Sequence, residues 1–289
     1  MDKWSAWLLR RRDGGDPQQR EKALEYLLPI RDRVLDNARI RPGEVVLDVG
    51  AGDGLIAFGA VDRVGSNGRV LFSDISPDLV RHGKSVATDL GYGDHTSFLE
   101  ARAEDLSPVP DASVDVVTTR SVLIYVEEKA RAFREFHRVL RVGGRVSVFE
   151  PINSYFPETP DEFWGFDSCP VRDLVSKVYE YEGWTESAYQ KDPMMNFTEK
   201  DLLNYAEDAG FREVHVELLV DVEPGSWVVD WNRLLNTSPN PNASTVGEAL
   251  EGALSEEEIA RFERHLRPLV DSGRGIKRSA WGYLWAIKA

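Results

Sequence analysis

The stretch Val45–Gly54, VVLDVGAGDG, decides how this chain is read. Val45 to Val49 is apolar except for Asp48, the pattern of a strand buried on both faces. Gly50, Gly52 and Gly54 alternate straight after it. Without Cβ atoms the backbone can turn tightly there and approach a ligand closely. Leu55 to Val61 is apolar enough to open a helix, and a helix N-terminus behind such a loop offers free N–H groups. The next strand, Arg69–Ser73, ends at Asp74, twenty positions beyond Gly54. A carboxylate at that distance can accept both hydroxyls of a ribose.

Two loop signatures compete for this stretch. The dinucleotide fingerprint G-x-G-x-x-G/A fails in the frame starting at Gly50, whose last position is Leu55, and passes weakly from Gly52, with Ala57 last. The alternative, D/E-x-G-x-G-x-G, is matched at every position by Asp48–Gly54. The loop alone does not separate them.

Working outward, the chain reads as alternating strand and helix. On the N-terminal side, Asp16 is an expected N-cap with Pro17 at the first helical position, and Leu24, Leu27, Leu28, Val34 and Leu35 form one stripe ending before Pro42-Gly43. On the C-terminal side, Ser76-Pro77 opens a helix to about Leu90, Thr96–Glu100 and Val114–Thr118 are strands, and Glu127–Leu140 is a helix stopped by Gly143-Gly144. Arg145–Glu150 is a fifth strand. This alternation predicts a parallel sheet with right-handed crossovers. The rhythm then breaks. Residues 151–196 are rich in aromatics, including Tyr155, Trp164, Trp184 and Tyr189, and are too long for an ordinary loop. Thr198–Gly210 is a capped helix, Phe211–Val222 a strand, about 224–275 a second insertion with a helix boxed by Ser255 and Glu258, and Arg278–Lys288 a last strand.

The 289 residues suffice for one α/β domain with insertions. The expected division is an N-terminal cap segment and helix over 1–40 and a main domain over 41–289, with insertions at about 151–197 and 224–275. A net charge of −14, with Arg10-Arg11-Arg12 as the basic cluster, argues against a nucleic-acid partner. No apolar run approaches the roughly 18 residues that cross a membrane. Met1-Asp2-Lys3-Trp4 carries no signal-peptide pattern, and a single cysteine, Cys169, allows no internal disulfide, so the cytoplasm is the expected compartment. The five histidines lack ligand spacing, and no metal is expected. The scattered tryptophans suit either core or a homodimer interface, and oligomeric state stays open.

Several further segments accompany the loop: Asp74-Ile75-Ser76-Pro77, Ala103-Glu104-Asp105-Leu106 ahead of an Asp-x-Ser-Val-Asp segment, Thr119–Val126 followed by Glu135–Gly144, and Phe149-Glu150-Pro151. Together with Asp48–Gly54 they resemble class I S-adenosylmethionine-dependent methyltransferases, in the subtype called the methyltransferase-11/25-type domain. The resemblance covers about 44–220. It implies a Rossmann-like seven-stranded α/β sheet in the order 3-2-1-4-5-7-6, last strand antiparallel, with helical and aromatic cap insertions. It also implies S-adenosylmethionine as cofactor. Gly50, Gly52 and Gly54 would lie along its methionine and ribose, and Asp48 would orient the amino group. Asp74 would take the ribose hydroxyls, Ile75 would pack on adenine, Ala103 would offer its N–H, Glu104 would sit near the exocyclic amine, and Arg120 would line the methionine end. One departure is Arg102, where many relatives carry an acid. Another is Ile124-Tyr125-Val126, which lacks the histidines often found there.

Methyl transfer from a sulfonium needs alignment and exclusion of water more than a nucleophile-base pair. If the acceptor must lose a proton, the candidate bases are Tyr125, Glu150 and Tyr155. Arg120, Tyr125, Asn153 and Trp164 are the candidate acceptor contacts, with the first insertion and residues 1–15 as a lid. The expected reaction is N- or O-methylation of a small molecule. The alternatives are a nicotinamide-dependent oxidoreductase, another sulfonium reaction, or a protein acceptor.

Overall fold

The computed structural model describes residues 1–12, 17–184, 188 and 191–289. The expected Asp16 cap and Tyr189 lie outside them. The chain opens with a short helix, α1 (Lys3–Ala6), which continues as a wider turn over Trp7–Arg11. Helix α2 (Pro17–Ala38) follows. Then come β1 (Val45–Val49), α3 (Leu55–Val64), β2 (Arg69–Asp74), α4 (Pro77–Asp89), β3 (Thr96–Glu100), β4 (Val114–Arg120), α5 (Lys129–Val139) and β5 (Leu140–Pro151). The first insertion carries a small hairpin, Glu162–Phe163 against Phe166–Asp167, and α6 (Arg172–Tyr181). After α7 (Glu199–Asp208) and β6 (Phe211–Pro224), the second insertion holds α8 (Trp231–Asn236), α9 (Val246–Ala253) and α10 (Glu256–Asp271), and β7 (Ile276–Lys288) closes the fold.

The sheet order is β3-β2-β1-β4-β5-β7-β6. β1 to β5 are parallel, and β7 runs antiparallel to both β5 and β6. This is the expected seven-stranded arrangement. Helices pack on both faces. One face buries Val34, Leu35, Phe72 and Phe149 with α2 and α3. The other buries Phe133, Phe136, Phe197 and Phe211 with α5 and α7. Helix starts follow their sequence signals. Ser76 Oγ accepts from the Leu79 N–H at 3.1 Å, and Thr198–Asp201 and Ser255–Glu258 are reciprocal capping boxes. Caps of this kind contribute about 1 kcal/mol each.

Two local expectations are corrected. Gly143-Gly144 does not stop α5. The helix ends at Val139, and the glycines form an irregularity inside β5, where pairing with β4 jumps from Val114–Leu140 to Val116–Arg145. A Cβ on Gly144 would lie 2.8 Å from the Arg141 carbonyl, so close backbone approach explains that glycine. The α2 stripe also holds only in its C-terminal half. Ile30, Val34, Leu35 and Ala38 are buried, whereas Leu24 is exposed.

The two insertions fold together. Phe163, Phe166, Leu174 and Val178 from the first pack with Trp231, Leu234, Leu250, Phe262 and Leu266 from the second, in a core separate from both faces of the sheet. This cap sits on the C-terminal side of the strands.

Candidate active site

Strand order reverses between β1 and β4, the crevice at which open α/β sheets bind ligands. A cavity of about 950 Å³ occupies it. Gly50 and Gly52 both have left-handed backbone, φ +67° and +58°, which side chains other than glycine rarely adopt. A Cβ on Gly50 would strike Val122 Cγ2 at 2.3 Å, so the loop must nest against the segment after β4. A Cβ on Gly52 would meet Leu8 Cδ2 at 3.0 Å, across the cavity mouth. Gly54 starts α3 and does not line the cavity.

Asp74 ends β2 at the cavity wall. Its Oδ2 accepts the Gly52 N–H at 2.9 Å and its Oδ1 accepts the Ser76 N–H at 2.8 Å. A carboxylate has about four acceptor positions, so it keeps capacity for two hydroxyls. Burial pushes the Asp74 carboxyl above its usual range, against those N–H bonds. Ile75 beside it is a large apolar side chain left 36% exposed, an open face for a flat ring. Ala103 and Glu104 line the same wall. Glu104 accepts from Arg102 Nε at 2.7 Å, so the departure at Arg102 supplies the partner of the neighbouring acid.

Asp48 is buried, accepts from Thr118 Oγ1 at 2.8 Å, and burial raises its carboxyl to about 7. Arg120 is the last residue of β4 rather than a residue past it. Its guanidinium borders the cavity, and burial lowers its pKa. Among the described residues its one hydrogen bond goes to Ser121 Oγ at 3.4 Å, and no carboxylate stands within ion-pair distance. A buried guanidinium so placed favours an anionic group on a ligand. Carboxylate, apolar face, glycine cradle and guanidinium in this order fit a nucleoside joined to an amino acid.

The candidate bases separate. Tyr125 lines the cavity, and burial, reinforced by the Glu150 charge, keeps its phenol protonated. Glu150 does not line the cavity. Its carboxylate is fully buried and accepts the N–H groups of Val122 and Leu123 at 2.9 Å and of Ile124 at 3.2 Å. It shapes the segment after β4, and burial raises its carboxyl to about 7. Tyr155 is 48% exposed and meets Phe156 edge-on, outside the cavity. Among the candidate contacts, Asn153 lines the cavity and donates to the Met194 carbonyl at 3.2 Å. Trp164 does not, because its ring packs on the cap core.

Four wall residues, Tyr26, Leu27, Met194 and Asn242, are not among the sequence candidates, whereas Trp4, Trp7 and Leu8 belong to the expected lid over residues 1–15. Tyr26 and Leu27 of α2 face the cavity, as do Met194 and Asn242 from the two insertions. Trp4, Trp7 and Leu8, spaced as one helical face, lie across the mouth. Trp4 meets Tyr125 edge-on at 5.0 Å, Trp7 Nε1 donates to the Ser238 carbonyl at 3.0 Å, and Arg11 pairs with Glu248 of the cap. At the other end Ser76 Oγ donates to Asp2. The N-terminal segment is thus a strap from the cofactor side of the sheet to the cap.

The model of the ubiE/COQ5 methyltransferase family matches residues 29–221. The chain belongs to that family. It is 36% identical over 146 residues to the ubiquinone/menaquinone biosynthesis C-methyltransferase UbiE of Hahella chejuensis, a match covering 50% of this chain and 52% of the relative. It is 31% identical over 191 residues to the protein of the same name from Xanthomonas oryzae pv. oryzae, covering 63% and 71%. Solved structures share the fold. The YcgJ protein of Bacillus subtilis superposes with TM-score 0.55 at 17% identity, over 89% of this chain and 97% of that one. Geranyl diphosphate methyltransferase in complex with SAM gives 0.55 at 18%, over 96% and 94%. As a member of this family the chain is a methyltransferase with S-adenosylmethionine as cofactor, which replaces the nicotinamide alternative. Among the described residues no helix is long and apolar enough to cross a membrane, and no group of three His, Cys, Asp or Glu side chains is placed to hold a metal ion.

Proposed function

We propose that this methyltransferase acts on a small-molecule acceptor, at nitrogen or oxygen, inside the space between the glycine loop and the cap. The observation that carries the reading is that the strap, α2 and both insertions border one concave space of about 950 Å³, the size of a small-molecule site. S-adenosylmethionine supplies an electrophilic methyl group on a sulfonium, so the protein's task is to orient the acceptor and exclude water.

In this reading Asp74 accepts the ribose hydroxyls, Ile75 covers the adenine, the Ala103 N–H meets the ring, and Glu104 borders its exocyclic amine. Arg120 pairs with the methionine carboxylate, and Asp48 orients the amino group. The Gly50 and Gly52 backbone lies along the chain between them. Tyr125 acts as a hydrogen-bond donor rather than a base, because its environment holds the proton. Asn153 orients the acceptor. Trp4, Trp7 and Leu8 close over the bound pair.

The names of the UbiE relatives favour a second reading, C-methylation of a quinone precursor. Incubation of the purified enzyme with methyl-labelled S-adenosylmethionine and matched panels of amines, phenols and quinols separates the two. Label on amines or phenol oxygens supports the first reading. Label on ring carbon alone overturns it in favour of the second. Failure to bind S-adenosylhomocysteine would overturn both.

A further inference from the structure

A second chamber of about 480 Å³ opens between the C-terminal edge of the sheet and the cap. Pro151, Asn153, Asp192, Met194, Pro239 and Asn242 belong to its wall and to that of the cofactor cavity, so the two spaces meet at this threshold. An acceptor reaching the cofactor from the cap side must occupy this chamber.

The wall is electrically one-sided. Glu158, Glu182 and Asp192 contribute three carboxylates, and none is ion-paired among the described residues. Glu182 accepts from the Ser244 N–H at 3.4 Å and Asp192 from the Met194 N–H at 2.8 Å, whereas the nearby Tyr179 hydroxyl donates to the Glu162 carbonyl at 3.4 Å. Arg278 is the cation of the wall, and Glu162, outside the wall, already holds it at 2.6 Å. Glu158 faces open space, yet the protein packed around it pushes its carboxyl up to about 7. A cation placed beside it would favour the ionised form. The indoles of Trp184 and Trp281 stand in the same wall, and aromatic faces attract cations.

We infer that this chamber is the acceptor subsite and that it takes an acceptor bearing a protonated amine, held by Glu158, Glu182 and Asp192 against the two indoles. The inference rests on the proposed small-molecule methyltransferase and narrows its acceptor class. Size and apolar lining alone would admit a neutral or anionic ring equally well, and three carboxylates without an ion pair among the described residues decide against both.

The test is calorimetric titration of the S-adenosylhomocysteine-loaded full chain with three probes of similar size: benzylamine, benzyl alcohol and benzoate. Benzylamine is expected to bind at least about tenfold more tightly than benzyl alcohol, with benzoate weakest. Glu158→Gln and Glu182→Gln should each weaken benzylamine by about fivefold or more, whereas Glu256→Gln, which removes the same charge from an exposed helix start, should not. Equal binding of the three probes, or an equal loss in Glu256→Gln, would overturn the inference and leave only general attraction to an acidic protein. Loading with S-adenosylhomocysteine is read first. Failure there would instead overturn the methyltransferase reading on which the inference rests.

Discussion

The two halves of the catalytic space are built in opposite ways. The floor of the crevice comes from one run of chain, β1 through β4, where Asp48, Gly50, Gly52, Asp74 and Arg120 sit at the ends of strands or in the turn after them. The cap half is assembled from two insertions that flank α7 and β6 and meet only in the folded state. Local backbone demands define the first half, and packing between distant segments defines the second. A chain built this way can keep one cofactor site and vary its acceptor by changing the cap.

Variants can break or sharpen this contrast. Phe262 is fully buried at the centre of the cap core. Phe262→Ala should cost the cap about 3–5 kcal/mol, with faster hydrogen exchange confined to the insertions and acceptor turnover lost. S-adenosylhomocysteine affinity should stay within about threefold, and a large loss would show that the halves are not separable. Asp74→Asn replaces a charged acceptor by a neutral one. It should weaken S-adenosylhomocysteine by about 1.5–3 kcal/mol, roughly 10- to 150-fold, in a binding titration.

Glu150→Gln exchanges one of the two oxygens that together accept three N–H groups for an amide NH2 with no acceptor capacity. A cost of about 1–2 kcal/mol is expected from denaturant unfolding. Its pH dependence has a definite sign. Burial raises the Glu150 carboxyl to about 7 in the fold from its ordinary value of 4.5, so the folded state binds the proton more tightly. That contribution is complete below about pH 4.5 and is lost as pH rises towards 7. The gap between wild type and Glu150→Gln should therefore narrow over that window, and a widening gap would contradict the assignment. The smallest effect is expected at the strap. Trp7→Ala loses the bond to Ser238 and should speed S-adenosylhomocysteine release by about fivefold, near 1 kcal/mol, in stopped-flow fluorescence.

The same contrast explains what could be read from the sequence. Asp48–Gly54 and Asp74 were legible because a turn that tolerates only glycine and a carboxylate at a strand end leave a mark in a few adjacent residues. The sheet order followed from the strand–helix rhythm and the resemblance. Trp164 and Tyr155 were misread because an aromatic residue looks the same in a lid, a cap core or on the surface: contacts with the second insertion place Trp164 on the cap core, and Tyr155 is left exposed beside Phe156. Glu150 was misread for a related reason. An acid at the end of a strand has one sequence appearance whether it faces a substrate or binds backbone N–H groups. Tyr26 was hidden because α2 changes role along its length, packing on the sheet at one end and bordering the cavity at the other.

The central claim is that the β1–β4 crevice is an S-adenosylmethionine site with Asp74 as its ribose acceptor. Calorimetric titration of S-adenosylhomocysteine into wild type and Asp74→Asn tests it most directly. Saturable binding at one site per chain, weakened at least about tenfold by the substitution, is the predicted result. An absence of binding heat in wild type, or equal affinity in the two proteins, would contradict it.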